Sequence, residues 1–281
     1  MKPFEAGGVP RPVEVWPNIS GEDQDDVIAR EVPVALTYNG SAYAVMMATP
    51  LNLEALGLGF SLTEGILKHP SELYGVEIVE QEGSIEVSMT VSTRRFEALK
   101  ATRRAIAGRT GCGVCGKESL GQIPLSVMPV EQTFVVTHKA VQKATTALVD
   151  HQPLQQLTGA VHGAAWCSLE GRILAVCEDV GRHNALDKLV GQLSPQNIFE
   201  VPGFLLMSSR ASYEIIQKAA IAGIAMIVTL SAPTSLAIDL AASGGITLVG
   251  FSRAHRHLAY CHPHRLAEEV KEAKEVSHDS I

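Results

Sequence analysis

Aromatic residues are scarce: Phe, Tyr and Trp supply 5% of the 281 positions. The core must then be aliphatic, because hydrophobic residues still make up 46% of the chain. Positive charge is not in surplus. A formal net charge of −7 does not favour non-specific binding to nucleic acid or an anionic membrane, so neither is expected as a partner. No apolar stretch of signal-peptide type follows the start. The longest apolar run, 219–230, is too short to span a bilayer and carries Gly223. Cysteine is limited to five residues, an odd number whose spacing is not that of a disulfide framework. The expected compartment is the reducing cytoplasm, where thiols are catalytic, metal-bound or buried. Repeats and low-complexity tracts are absent, and 24 Gly and 14 Pro are ordinary numbers that argue against long disorder.

The length suits two modest domains. Residues 1–25 are polar and Pro-rich and read as irregular. A hairpin is predicted over 31–47 around Asn39-Gly40, a helix over 51–67, and a second hairpin from 76–80 and 85–91 across Glu82-Gly83. A helix over 93–107 follows, with a partial apolar stripe from Phe96, Leu99 and Ile106. The boundary between halves falls near 129–137, dividing an α+β region (1–135) from a second domain (136–265) and a charged tail (266–281). The second half reads as a helix over 139–150 and a hairpin from 158–166 and 172–176. Strands at 204–207, 225–230 and 246–251 then alternate with helices at 183–190, 212–222 and 235–242. Such alternation predicts an α/β fold with parallel strands and right-handed crossovers.

That topology has a functional consequence, because ligands of open α/β sheets sit beyond the carboxyl ends of the parallel strands. Four loops are expected there: 178–184 with Arg182 and His183; 208–211 with Ser208, Ser209 and Arg210; 231–235 with Ser231, Thr234 and Ser235; and 252–256 with Ser252, Arg253, Ala254, His255 and Arg256. Small polar residues make good caps and turns on their own account. Four such loops at one edge, three with arginine, point instead to a polyanionic ligand such as a nucleotide diphosphate gripped by guanidinium groups and helix N-termini.

The sharpest chemical signal is the segment Gly-Arg-Thr-Gly-Cys-Gly-Val-Cys-Gly, 108–116, with Cys112 and Cys115. A C-x-x-C pair serves as half a zinc site, a dithiol redox centre, or a reactive thiol with a helper. Cys167 and Cys177 lie in apolar strands and do not complete a zinc site, and no metal is expected. Four glycines favour a permissive arm over a helix-opening redox site. Arg109 and Lys117 flank the thiols within a run that carries seven basic residues and one acidic residue between Arg94 and Lys117. Such a setting stabilises a thiolate or persulfide. These residues alone do not choose the nucleophile between the two cysteines.

Taken together, GRTGCGVCGKESL (108–120), LTGAVHGAA (157–165), EDVGRHNALDKLVG (178–191), SSRASYEIIQKAAIAGI (208–224), SAPTSLAIDLA (231–241) and ITLVGFSR (246–253) resemble the FdhD proteins, accessory sulfurtransferases of formate dehydrogenase. The resemblance implies that Cys112 accepts sulfur as a persulfide from a cysteine desulfurase, with Cys115 assisting. It implies delivery to molybdenum bis(molybdopterin guanine dinucleotide) before the cofactor enters formate dehydrogenase apoprotein, so that GDP or GTP is a partial ligand. It also implies a homodimer, a three-layer cytidine-deaminase-like α-β2-(αβ)2 second half, and a cofactor loop on Phe251, Ser252, Arg253, Ala254, His255 and Arg256. The chain departs from the family pattern at His255, where members carry Gly; a left-handed backbone there would be strained for His. The deaminase zinc signature is absent, so the fold likeness brings no deaminase chemistry.

Overall fold

The computed structural model describes residues 7–16, 24–104 and 126–268. The first finding corrects the sequence reading: β1 (Gly8–Val13), inside the stretch 1–25 expected to be irregular, pairs antiparallel over six residues with β2 (Gln24–Ala29), which begins at its end. Pro10 and Pro12 are two apart and so share one phase of the strand. Their missing N–H groups can both face away from β2 without breaking the ladder.

The expected hairpins form. β3 (Val32–Tyr38) and β4 (Ser41–Ala48) flank Asn39 and Gly40, whose φ values of 46° and 78° are those of a tight primed turn. Helix α1 (Leu53–Thr63) follows, then β5 (Leu73–Gln81) and β6 (Ser84–Val91), with Gly83 at φ 75° between them. The hairpins join through a parallel β3–β6 pairing into a sheet of order β4-β3-β6-β5. Val34, Leu36, Tyr38, Val87 and Met89 bury its inner face against Leu56 and Phe60 of α1. Helix α2 (Thr93–Arg104) leads to residues 105–125; Cys112, Cys115 and the glycine-rich segment around them lie outside the described residues.

The second half opens with β7 (Val136–Thr137), α3 (His138–Ala147) and α4 (Pro153–Thr158). There follow β8 (His162–Ser168), β9 (Ile173–Asp179), α5 (Arg182–Leu193), β10 (Gly203–Met207), α6 (Tyr213–Ile221), β11 (Met226–Thr229), α7 (Ser235–Ser243), β12 (Thr247–Arg253) and β13 (Arg256–Cys261). The six strands form one sheet of order β13-β12-β11-β10-β8-β9. β10, β11 and β12 are parallel as the alternation predicts. β8 is antiparallel to both its neighbours, and β13, in a stretch to which the sequence reading assigned no strand, is antiparallel to β12. The fold class is therefore α/β, with the α-β2 opening as expected and β13 as an additional closing strand. Every residue of β10 and β11 is buried, which fits their continuous apolar runs.

Two antiparallel steps through β8 restore the direction of β9 to that of β10. The carboxyl ends of β9, β10, β11 and β12 consequently share one edge. Where the charged tail was expected, β14 (Leu266–Ala267) instead pairs with β7 and ties the last described residues to the start of the second half. Among the described residues, no helix is long and apolar enough to cross a membrane.

Candidate functional site

Three of the four predicted loops are linked by main-chain bonds along the sheet edge, and loop 178–184 reaches them through the side chain of His183. Ser208 N–H donates to Gly163 O at 2.9 Å, and Gly163 N–H donates to the Ser208 hydroxyl at 2.8 Å. Ser231 N–H reaches Ser209 O, Thr234 N–H reaches Ala211 O at 3.0 Å, and Phe251 N–H reaches Ser231 O at 3.3 Å. The Arg253 guanidinium folds back onto the carbonyls of Leu230 and Ser252, holding the β12–β13 turn against the end of β11.

The side chains divide into two groups. Several hydroxyls serve the scaffold: Thr234 caps α7 by accepting from Ala237 N–H, Ser252 is fully buried with its hydroxyl 2.6 Å from that of Thr145, and Ser209 donates to Arg210 O. Ser231, Ser235, Ala254, His255 and Arg256 are exposed. Ala254 and His255 form the turn, and Arg256 opens β13 opposite Arg253. His255 is not among the residues with positive φ, so the replacement of Gly by His meets no backbone strain. The left-handed residue of this loop is Phe251, at φ 50° with its ring exposed, beside a register shift between Gly250 and Arg253.

The second group gathers where β9 enters α5 and β10 enters α6. Arg182 and His183 are the first two residues of α5. His183 Nε2 lies 2.9 Å from Glu214 Oε2 and 3.3 Å from the Ser212 hydroxyl. The hydrogen bond from His183 holds the Glu214 carboxyl below its ordinary range. The Nε of Arg182 is buried and has no hydrogen-bond partner among the described residues. Burial, then the nearby Arg210, draws the Arg182 guanidinium below its ordinary value. His162, at the start of β8, is half-buried; desolvation, followed by the charges of Arg182 and His183, disfavours its protonated form. Two guanidinium groups and two imidazoles therefore converge on this corner beside one carboxylate, an arrangement suited to an anion.

Sequence reasoning missed Glu214 and Ser212, which lie in a stretch read as the start of a helix. The support beneath this corner is ionic: Lys188 and Lys218 are buried in ion pairs. Lys188 Nζ is 2.6 Å from Asp179 Oδ2 and donates to Thr49 O at 2.9 Å. The other oxygen of Asp179 accepts from Gly181 N–H and Asn184 Nδ2, which sets the backbone immediately before Arg182. A lysine in the apolar stretch Ala-Leu-Asp-Lys-Leu-Val was the available signal. No group of three or more potential metal ligands occurs among the described residues.

Known proteins share this chain's sequence and fold. A profile described as FdhD/NarQ family matches residues 29–267. A protein of Acinetobacter baylyi named sulfur carrier protein FdhD is 48% identical over 236 residues, covering 84% of this chain and 86% of its own. A protein of the same name from Variovorax paradoxus is 48% identical over 244 residues, covering 87% and 88%. A crystal structure from Desulfotalea psychrophila, of a protein assigned as a formate dehydrogenase accessory protein, superposes with a TM-score of 0.69 over 92% of this chain and 99% of that one, at 23% identity, a likeness of fold. By the profile match and by relatives nearly half identical over most of its length, the chain belongs to the FdhD/NarQ family.

Proposed function

We propose that this protein is a sulfur carrier in formate dehydrogenase maturation, with Cys112 as the carrying thiol and a molybdenum bis(molybdopterin guanine dinucleotide) cofactor as the acceptor. The naming of relatives as sulfur carriers supports the first part. The observation that carries the second is the loop edge where Arg182, its Nε buried and without a hydrogen-bond partner among the described residues, opens α5 beside His183 and Glu214.

In this reading the Cys112 thiolate attacks the outer sulfur of a persulfide on a cysteine desulfurase. The donor S–S bond breaks, a new S–S bond forms on Cys112, and the donor cysteine leaves as thiolate, with no net redox change. Release uses Cys115: its thiol attacks the inner sulfur, expelling hydrosulfide for the acceptor and leaving a Cys112–Cys115 disulfide that a cellular thiol reductant resets. The cytoplasm supplies that reductant, and formate dehydrogenase apoprotein receives the finished cofactor. GDP or GTP is the simplest ligand fragment expected at the loop edge, and a homodimer is the expected assembly.

Incubation with a desulfurase and cysteine, followed by intact mass and peptide mapping, tests the carrier assignment. One extra sulfur should map to the peptide holding Cys112. The Cys112→Ala variant should not load, whereas Cys115→Ala should load and release slowly. Normal loading of Cys112→Ala removes that residue from the role.

A further inference from the structure

Strands β10, β8 and β9 are neighbours in that order, and β8 runs antiparallel to the other two. It is therefore the one strand of the three that begins at the edge of the candidate site. Its first residue, His162, stands there between the loop that carries Arg182 and the loop that carries Arg210. On one side His162 is in register with Asp179, whose Oδ1 accepts from Gly181 N–H at 2.8 Å, immediately before Arg182. On the other, Gly163 holds Ser208, two positions before Arg210, through bonds of 2.9 and 2.8 Å.

The His162 side chain is half-buried, yet it makes no hydrogen bond or ion pair with a described residue. A histidine that serves only the scaffold is expected to have a partner. His138, His183 and His262, also half-buried, each have one. Burial, then the charges of Arg182 and His183, disfavour the His162 cation, while Asp179 favours it. Asp179 is itself paired with Lys188, and Glu214 with His183.

An uncharged imidazole keeps one N–H donor and one lone pair in either tautomer. It can donate to an anion without being protonated, and it adds no charge between two guanidinium groups. Burial, then Arg210, already draw the Arg182 guanidinium below its ordinary value. The buried Nε of Arg182, with no hydrogen-bond partner among the described residues, is a second open donor at this corner.

We propose that His162 is a binding residue of this corner, donating a ring N–H to a phosphate oxygen held between Arg182 and Arg210. The ligand class, a diphosphate, rests on the nucleotide reading above. The place of His162 between the two loops does not.

Two measurements on the full-length chain test this contact, with inorganic pyrophosphate and GDP as probes. The first is calorimetric titration at about pH 7.5, where histidine is largely uncharged. His162→Phe, which keeps a ring but no donor, should weaken both probes about three- to tenfold, the loss of one hydrogen bond. His162→Gln keeps an N–H donor and should bind more tightly than His162→Phe. Equal affinity in wild type and His162→Phe overturns the proposal, and so does a His162→Gln variant as weak as His162→Phe. The second needs no variant beyond one to identify the signal. The His162 ring N–H, recognised by its loss in His162→Gln, should exchange with water more slowly once pyrophosphate is bound to the wild type. Exchange equally fast with saturating pyrophosphate overturns the contact. Pyrophosphate bound through His162 with no binding of GDP overturns the nucleotide reading and leaves the contact standing. Binding of neither probe overturns both.

Discussion

Neither Lys188 Nζ nor the Asp179 carboxylate 2.6 Å away reaches solvent. Two charges so deeply buried carry a desolvation cost that their attraction offsets only with further hydrogen bonds. Thr49 supplies these from the first half: its carbonyl accepts from Lys188, its N–H donates to Asp179 at 3.0 Å, and its hydroxyl accepts from Val180 N–H at 3.2 Å. Replacing Lys188 by Met should leave Asp179 charged and unpaired and destabilise the protein by about 3–5 kcal/mol. Adding Asp179→Asn should recover part of that loss. Urea unfolding of the single and double variants measures both, and a neutral Lys188→Met would show that the pair contributes nothing net. The thiols follow the same logic of burial. Burial pushes the Cys177 thiol up to about 11 and Cys167 higher still, so neither forms a thiolate readily at neutral pH. The sulfur chemistry proposed for Cys112 therefore has no competitor in these two buried thiols.

Helices α1 and α5 cross with their backbones in contact, and glycine permits it. A Cβ on Gly59 would lie 1.7 Å from Asp187 O, and one on Gly191 would lie 1.9 Å from Ala55 O. Both clashes are with main chain, which cannot rotate aside. The crossing brings the first half onto the helix whose N-terminus presents Arg182 and His183, so a shift there would also move the candidate site. Gly191→Ala should destabilise by about 1–3 kcal/mol and tilt α5, weakening the proposed GDP binding in parallel. Thermal unfolding and calorimetry on the same variant test the link. Loss of stability with unchanged binding would show that α5 transmits nothing to its N-terminus.

At the scale of the whole molecule, the halves are joined by polar bonds as well as by the α1–α5 contact. Lys218 bridges Asp187 of the second half and Glu64 of the first, at 3.0 and 2.9 Å, with the Thr63 hydroxyl 2.7 Å from Asp187. Burial works against the Lys218 ammonium, but Asp187 and Glu64 outweigh it and hold it above its ordinary value. Such a seam should make the halves unfold in one transition. The pH dependence follows from the other shifted groups. Burial holds the imidazoles of His162 and His257 below their ordinary 6.5, so each contributes stability above that pH that is lost as the pH falls. Glu72, beside Arg95, and Glu214, beside His183, are held below their ordinary 4.5 and add a further loss under that value. Denaturant midpoints should therefore decline in two stages as the pH falls, first below 6.5 and then below 4.5. A midpoint constant from about pH 8 to about pH 4 would contradict these shifts, since histidine and carboxylate ionise within that interval.

Several features were legible in the chain alone because they depend on neighbours in sequence. Asn39-Gly40 and Glu82-Gly83 mark turns by their backbone freedom, and period-2 alternation marks β6 from Ile85 to Val91. The βα alternation brings four loops to one edge, and the motif set identifies the family. Local pattern does not encode which strand a ladder will meet. The antiparallel insertion of β8, the closing β13 and the β1–β2 pair were accordingly decided by tertiary structure. The same holds for charge. Asp179, Lys188 and Lys218 look like ordinary polar residues until Thr49 and Glu64, more than a hundred positions away, arrive to bury them. Glu214 meets His183, 31 positions earlier, only because β10 carries the start of α6 alongside that of α5. An ion pair across such distances depends on where the backbone places its members, which sequence spacing does not reveal.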